Sequence, residues 1–155
     1  MSKSLARVKA ALTELGIDTT IVEAGQTRTA QEAADAVGRA VDQIVKSLIF
    51  RGETSGELLL FLTAGGNQVD PEAASAVAGE PLGKADATVI RAKTGFAIGG
   101  VAPVGHLSAI RSFLDPRLLD FAEIWAAAGT PRHVFSISPQ KLADAISPQV
   151  TEFVI

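Results

Sequence analysis

The chain has 155 residues, 47% of them hydrophobic, and a formal net charge of −3. This is the composition of one globular domain with room for a full core, and it lies outside the range of disordered chains. There is no Cys, which excludes a thiol nucleophile, a disulfide framework and Cys-ligated zinc; the only His residues, His106 and His133, are far apart and do not suggest a metal site.

Taken in order, the chain predicts a first helix from a Ser2 or Ser4 cap to about Leu15, with Leu5, Val8, Leu12 and Leu15 on one face and Gly16 as its stop. Ile17 to Val22 reads as a short β-branched strand. Thr27 or Thr29 opens a helix over Ala30 to Val37, ended by Gly38. Gln43 to Arg51 and Glu57 to Thr63 are short and apolar, and predict two buried antiparallel strands joined by a polar turn. Asp70 with Pro71 starts a helix to about Val77, Gly79 to Gly83 is expected as a loop, and Asp86 caps a helix to about Lys93.

A glycine-rich stretch, Thr94 to His106, follows. Leu107 to Phe113 is expected as strand, then a turn at Asp115-Pro116, and extended pieces over Leu118 to Phe121 and Glu123 to Ala127, with Trp125 in the core. A turn at Gly129-Thr130-Pro131 precedes a strand over His133 to Ile137. Ser138 and Pro139 start a helix through Ile146, and Thr151 to Ile155 is expected to close the sheet. The mixture, with later strands in runs, predicts a single α+β domain over residues 1–155. The N-terminus lacks the apolar block of a signal peptide and no run approaches a membrane span, so a cytoplasmic protein is expected, with neither a membrane nor DNA as partner.

Three places carry candidate chemistry. On the strand Gln43 to Arg51, Lys46 shares a face with Ile44, Leu48 and Phe50. An ammonium in an apolar row either reaches water along its own stem or lines a cavity and meets an anion. The stretch Thr94 to His106 has Gly at 95, 99, 100 and 105 and Pro at 103, which is a shaped loop: either a connector between buried strands or a ligand loop. His133 follows a tight turn and opens a strand, where it caps a sheet edge or touches a ligand; His106, which ends the glycine loop, is the weaker candidate for ligand contact. Lys3, Arg7 and Lys9, and Arg91 with Lys93, form small basic clusters of the kind that usually face solvent. No P-loop, GxGxxG or GxSxG is present, and no pair of carboxylates is singled out by spacing. An enzyme built this way would work by positioning and electrostatics.

These same residues carry a resemblance. Ile44-Val45-Lys46-Ser47-Leu48, the GxxxP stretch Gly99-Gly100-Val101-Ala102-Pro103 followed by Val104-Gly105, and Ala128-Gly129-Thr130-Pro131-Arg132-His133 resemble, in order, the YbaK-type editing domains related to the insertion domain of bacterial prolyl-tRNA synthetases. The resemblance implies a mixed, curved, barrel-like β-sheet surrounded by helices. It implies hydrolysis, in trans, of the ester joining a small amino acid (Cys, Ala, Ser or Thr) to proline tRNA, without cofactor or metal. Lys46 would hold the terminal adenosine or its phosphate, and Gly99, Gly100, Val101, Ala102 and Pro103 would present backbone N–H groups to the scissile carbonyl. A hydroxyl of the terminal ribose would help activate the water. His133, with Thr20, Val22, Gly105 and Gly129, would line the substrate site. The implied partner is the acceptor end of an aminoacyl-tRNA, with prolyl-tRNA synthetase as a further candidate. The alternative is a non-catalytic module of the same fold that binds a tRNA end or a nucleotide.

Overall fold

The computed structural model describes residues 2–155. Its centre is a strand whose two faces are both covered. β3 (Leu58–Ala64, LLLFLTA) is buried at every position, which is why it reads as an unbroken apolar run. It pairs antiparallel with β2 (Val45–Gly52), Lys46 facing Thr63 across the ladder. β4 (Leu82–Lys84) adds to the far end of β2, while β5 (Arg111–Leu114) and β8 (Gln149–Val150) extend the other side in parallel. The sheet order is therefore β4-β2-β3-β5-β8. A second sheet, β1-β7-β6, consists of β1 (Ile21–Glu23), β7 (His133–Ile137) and β6 (Ile124–Ala127). A parallel bridge between Ile44 and Trp125 joins the sheets, giving the expected α+β domain with a mixed, curved sheet that does not close into a barrel.

The helices start where local chemistry predicts. Ser2 caps α1 (Lys3–Glu14), accepting from the Leu5 N–H at 3.1 Å. Thr29 caps α2 (Ala30–Val37), Asp70 caps α3 (Pro71–Ala78), Asp86 caps α4 (Ala87–Thr94) and Ser138 caps α5 (Pro139–Ile146). The side chains of β2 and β3 alternate between two clusters. Val45, Leu58, Leu60 and Leu62 join Val8 and Leu12 of α1, and Leu59 and Phe61 join Phe113 and Phe153. Phe61 stacks on Phe113 at 4.5 Å between ring centroids and meets Phe153 edge-on at 5.0 Å.

Several expectations are corrected. The first strand begins only at Ile21, because β7 offers partners from Phe135 to His133 for Ile21 to Glu23; Ile17 instead packs on the core. The Gly79 to Gly83 region contains β4, which pairs with Phe50–Gly52. Residues 107–110 are irregular and strand begins at Arg111. Pro116–Asp120 is a 3-10 turn, started by Asp115 accepting from the Arg117 N–H at 3.0 Å. At the C-terminus the ladder is limited to Gln149–Val150, and Val154 makes an isolated bridge to Val69. Trp125 is half-buried and bonds Glu123 through its indole N–H at 2.7 Å.

Because Phe61 is fully buried at the meeting point of three rings, Phe61→Ala is expected to destabilise the fold by about 3–5 kcal/mol. Urea unfolding checks this; a loss below about 1 kcal/mol would show that the cluster collapses onto the cavity.

Candidate active site

Beside the Ile44–Trp125 bridge lies a cleft of about 800 Å³. Its floor is Val45, Lys46, Ser47 and Leu48 of β2 with Trp125, Ala126 and Ala127 of β6. One wall is the segment Gln26–Gln31 entering α2, continued by Ala33, Val37 and Val41. The opposite wall is Ile98, Gly99 and Val101 of the glycine loop with Thr130, Pro131 and His133. The lining includes Arg28, Lys46 and His133 and contains no Asp or Glu. Its local charge is thus opposite in sign to the whole chain, and suits an anion.

Lys46 lines the cavity, and its Nζ donates to the Asn67 carbonyl. An ammonium has three donors, so two remain. Burial pushes its pKa below the ordinary lysine value, while Asp115 and Asp42 pull it back up. Those carboxylates are outside the cleft lining and hold the 64–67 loop, whose Asn67 carbonyl bonds Lys46. Asp115, only 2% exposed, accepts from the Ala64 N–H at 3.1 Å and from the Asn67 amide at 2.9 Å. Asp42 accepts from the Gly66 N–H at 2.9 Å and pairs with Arg117 at 3.0 Å. Next to Lys46, the Ser47 hydroxyl is buried with no partner among the described residues.

The glycine loop divides its labour. Gly99 and Val101 line the cleft; Gly100, Ala102 and Pro103 are buried outside its lining. Gly99 has φ +92°, a left-handed conformation that side chains rarely adopt. The Gly100 N–H is already used, donating to the Ala97 carbonyl at 3.0 Å. Among the described residues the N–H groups of Gly99 and Val101 make no backbone hydrogen bond. Gly100 has a different duty: a Cβ there would lie 2.9 Å from Thr130 Cα and 3.1 Å from the Gly129 carbonyl oxygen. The two glycine-bearing loops therefore touch backbone to backbone. Thr130 passes that contact on, its hydroxyl lying 2.7 Å from His133 Nδ1 and accepting from the Arg132 N–H at 3.1 Å.

Of the expected site residues, the cleft brings together Lys46, Gly99, Val101 and His133. Thr20 is exposed and Val22 pairs with Val134 on β7, both outside the lining. Gly105 and Gly129 face α1, where a Cβ would lie 3.3 Å from the Arg7 carbonyl oxygen and 2.7 Å from that of Ser4. His106 turns away from the cleft. Its Nε2–H donates to the Ala102 carbonyl at 2.6 Å and its ring meets Phe96 edge-on at 5.2 Å. Sequence reasoning missed Arg28, Ser47 and Thr130. The signal for Thr130 was a Thr two residues before Arg132 in a tight turn, a side-chain cap of the turn. Among the described residues, no three His, Asp or Glu side chains gather as a metal site, and no helix is long and apolar enough to cross a membrane.

With this geometry in place, comparison with known proteins gives the class. The chain belongs to the aminoacyl-tRNA editing domain family, which it matches over residues 24–145. It is similar to the uncharacterized protein YwhH of Bacillus subtilis (strain 168), 28% identical over 116 residues, or 75% of this chain and 73% of that one. A 49-residue segment, 32% of the chain, is 45% identical to 8% of the proline–tRNA ligase of Staphylococcus haemolyticus (strain JCSC1435). A solved structure of a candidate trans-editing enzyme for prolyl-tRNA synthetase superposes with a TM-score of 0.93 at 45% identity, over 100% of this chain and 99% of that one.

Burial holds the His106 pKa below 6.5, and the nearby Arg7 charge adds to the effect. The native state thus binds fewer protons than the unfolded chain just below pH 6.5, so stability falls as pH drops from there toward the native pKa. Carboxylates with depressed values, such as Glu23 and Glu80, titrate below 4.5, outside that window. The urea midpoint is expected to be lower at pH 5.5 than at about pH 7.5, and His106→Gln to flatten the difference. An equal pH dependence in both proteins would remove His106 as the cause.

Proposed function

We propose that this chain is a trans-acting aminoacyl-tRNA deacylase that removes a small amino acid (Cys, Ala, Ser or Thr) from proline tRNA. The observation that carries the reading is a cleft holding a lysine, an arginine and a histidine without a carboxylate, walled by a loop with two unpaired backbone N–H groups. The similarity to a proline–tRNA ligase segment and to a candidate trans-editing enzyme supports proline tRNA as the carrier. In this reading the whole chain is one editing domain working in the cytoplasm.

The two free N–H donors of Lys46 hold the phosphate or terminal adenosine of the acceptor end; a compact ammonium is a natural partner for phosphate. The N–H groups of Gly99 and Val101 meet the ester carbonyl as it becomes an oxyanion. A hydroxyl of the terminal ribose orients the attacking water. Water adds to the carbonyl carbon, the bond from that carbon to the ribose oxygen breaks, and the leaving oxygen takes up a proton. The ester is already activated, so placement and oxyanion stabilisation suffice. His133, fixed by Thr130, steadies the amino-acid end.

A panel of Cys-, Ala-, Ser- and Thr-charged proline tRNAs tests the reading; hydrolysis of none above the buffer rate sinks it, and tight binding without turnover would make the protein a binding module. On the preferred substrate, Lys46→Ala is expected to lower kcat/KM about 10- to 100-fold, the worth of one charge-assisted hydrogen bond. Wild-type activity in that variant would remove Lys46 from the site. Gly100→Val is expected to fold and to lose about 100-fold or more in kcat, since its side chain must push the loop off Gly129–Thr130. A folded Gly100→Val with full activity would separate the loop contact from catalysis.

A further inference from the structure

We infer that Arg7 of the N-terminal helix is a positioning residue for the proposed deacylation, holding the glycine loop in its working shape from behind. This rests on the deacylase reading above. The loop leaves α4 at Gly95 and returns at Gly105, both in left-handed conformations with φ +83° and +81°. One guanidinium bonds both ends: Arg7 Nη2 donates to the Gly95 carbonyl at 2.6 Å and Nε to the Gly105 carbonyl at 2.9 Å. Its plane lies over the Phe96 ring at 4.8 Å, and a Cβ at Gly95 would collide with Nη2.

Between these anchors the chain runs through Gly99 and Val101 at the cleft wall. Other bonds brace the loop. Leu107 N–H donates to the Thr94 carbonyl at 3.1 Å, Phe96 N–H to the Thr94 hydroxyl at 3.1 Å and His106 to the Ala102 carbonyl. Of these, only the Arg7 bonds reach an element distant in sequence; the rest lie within residues 94–107, from the last residue of α4 onward. Arginine is suited to the task because its donors form a rigid fork, whereas lysine offers a single point. Arg7 lies outside the cleft lining, so it acts through the loop. Its neighbours Lys3 and Lys9 are exposed on the same helix and serve as charge-matched controls.

The experiment compares Arg7→Met, Arg7→Lys and Lys9→Met on the mischarged tRNA that wild type hydrolyses fastest. Arg7→Met is expected to lower kcat about 10- to 100-fold with KM within about twofold of wild type, the signature of lost placement. Arg7→Lys keeps the charge, reaches one carbonyl at most, and is expected to fold and still lose kcat. Millimolar guanidinium is expected to restore part of the rate of Arg7→Met. Hydrogen exchange of amides 96–104 is expected to speed up in that variant while exchange in β3 stays as in wild type. Lys9→Met is expected to leave kcat and KM unchanged. Wild-type loop protection in a folded Arg7→Met overturns the inference, as does a loss in Lys9→Met equal to that in Arg7→Met. Should Arg7→Met fail to fold, a wild-type kcat in Arg7→Lys overturns it. If wild type hydrolyses no mischarged tRNA, the deacylase reading falls by itself, and the exchange data still decide whether Arg7 holds the loop.

Discussion

The cleft depends on a helix meeting two loops at backbone distance. α1 packs Val8 and Leu12 into the core, and in that pose its own carbonyls face Gly105 and Gly129, where an added Cβ would lie at 3.3 and 2.7 Å. The two loops in turn meet at Gly100 and Thr130. Helix, first loop and second loop meet pairwise, and the loops lack a Cβ at three of these contacts, Gly100, Gly105 and Gly129. Close approach explains these three glycines better than flexibility does, and close-packed contacts of this kind transmit displacement. Gly99, with φ +92° and open space around it, serves its backbone conformation instead. A shift of the first loop reaches Thr130, and through its bond to Nδ1 reaches His133.

A second constraint is the division of charge. The chain carries more acidic than basic residues, yet no carboxylate lines the cleft. Asp42 and Asp115 sit outside its lining, spent on backbone and amide donors of the loop from Ala64 to Asn67. They raise the pKa of Lys46 against the effect of burial without forming an ion pair with it. Lys46 is bonded to a neutral carbonyl instead. A direct carboxylate partner would neutralise the ammonium and compete with an incoming phosphate; a carbonyl orients it and leaves its charge unmatched.

Much of this was legible in the sequence because it is local. Caps depend on a few adjacent residues: Asp70, Asp86 and Ser138 are used as read, and the structure selects Ser2 over Ser4 and Thr29 over Thr27. The β2–β3 hairpin is written in two apolar runs and a polar turn, and Lys46 stands out as the one cation in an apolar row. Strand limits were less legible, since Ile21–Glu23 is strand only because β7 supplies three partners, a fact of tertiary pairing. β4 was hidden by its Gly83, tolerated because the strand lies at the sheet edge. For the glycine loop, composition could not say which residues face the cleft. That follows from which atoms lie on the other side of each glycine: open space at Gly99, Thr130 at Gly100, α1 at Gly105.

Arg7 is the sharpest instance of that limit. In sequence it belongs to an ordinary basic cluster with Lys3 and Lys9, and nothing local sets it apart. In the fold it alone of the three turns inward, to carbonyls 88 and 98 residues away. The residues matched to the family, 24–145, contain every residue lining the cleft, but they do not contain α1. The lining is thus specified in one part of the chain and its bracing in another. In the proposed deacylase the loop acts through backbone N–H groups, which have no side chains of their own to fix their direction, so their geometry would have to be imposed from outside. Here the imposing surface is α1, through a guanidinium at the loop's two ends and backbone contact at Gly105, with Gly129 resting on the same helix.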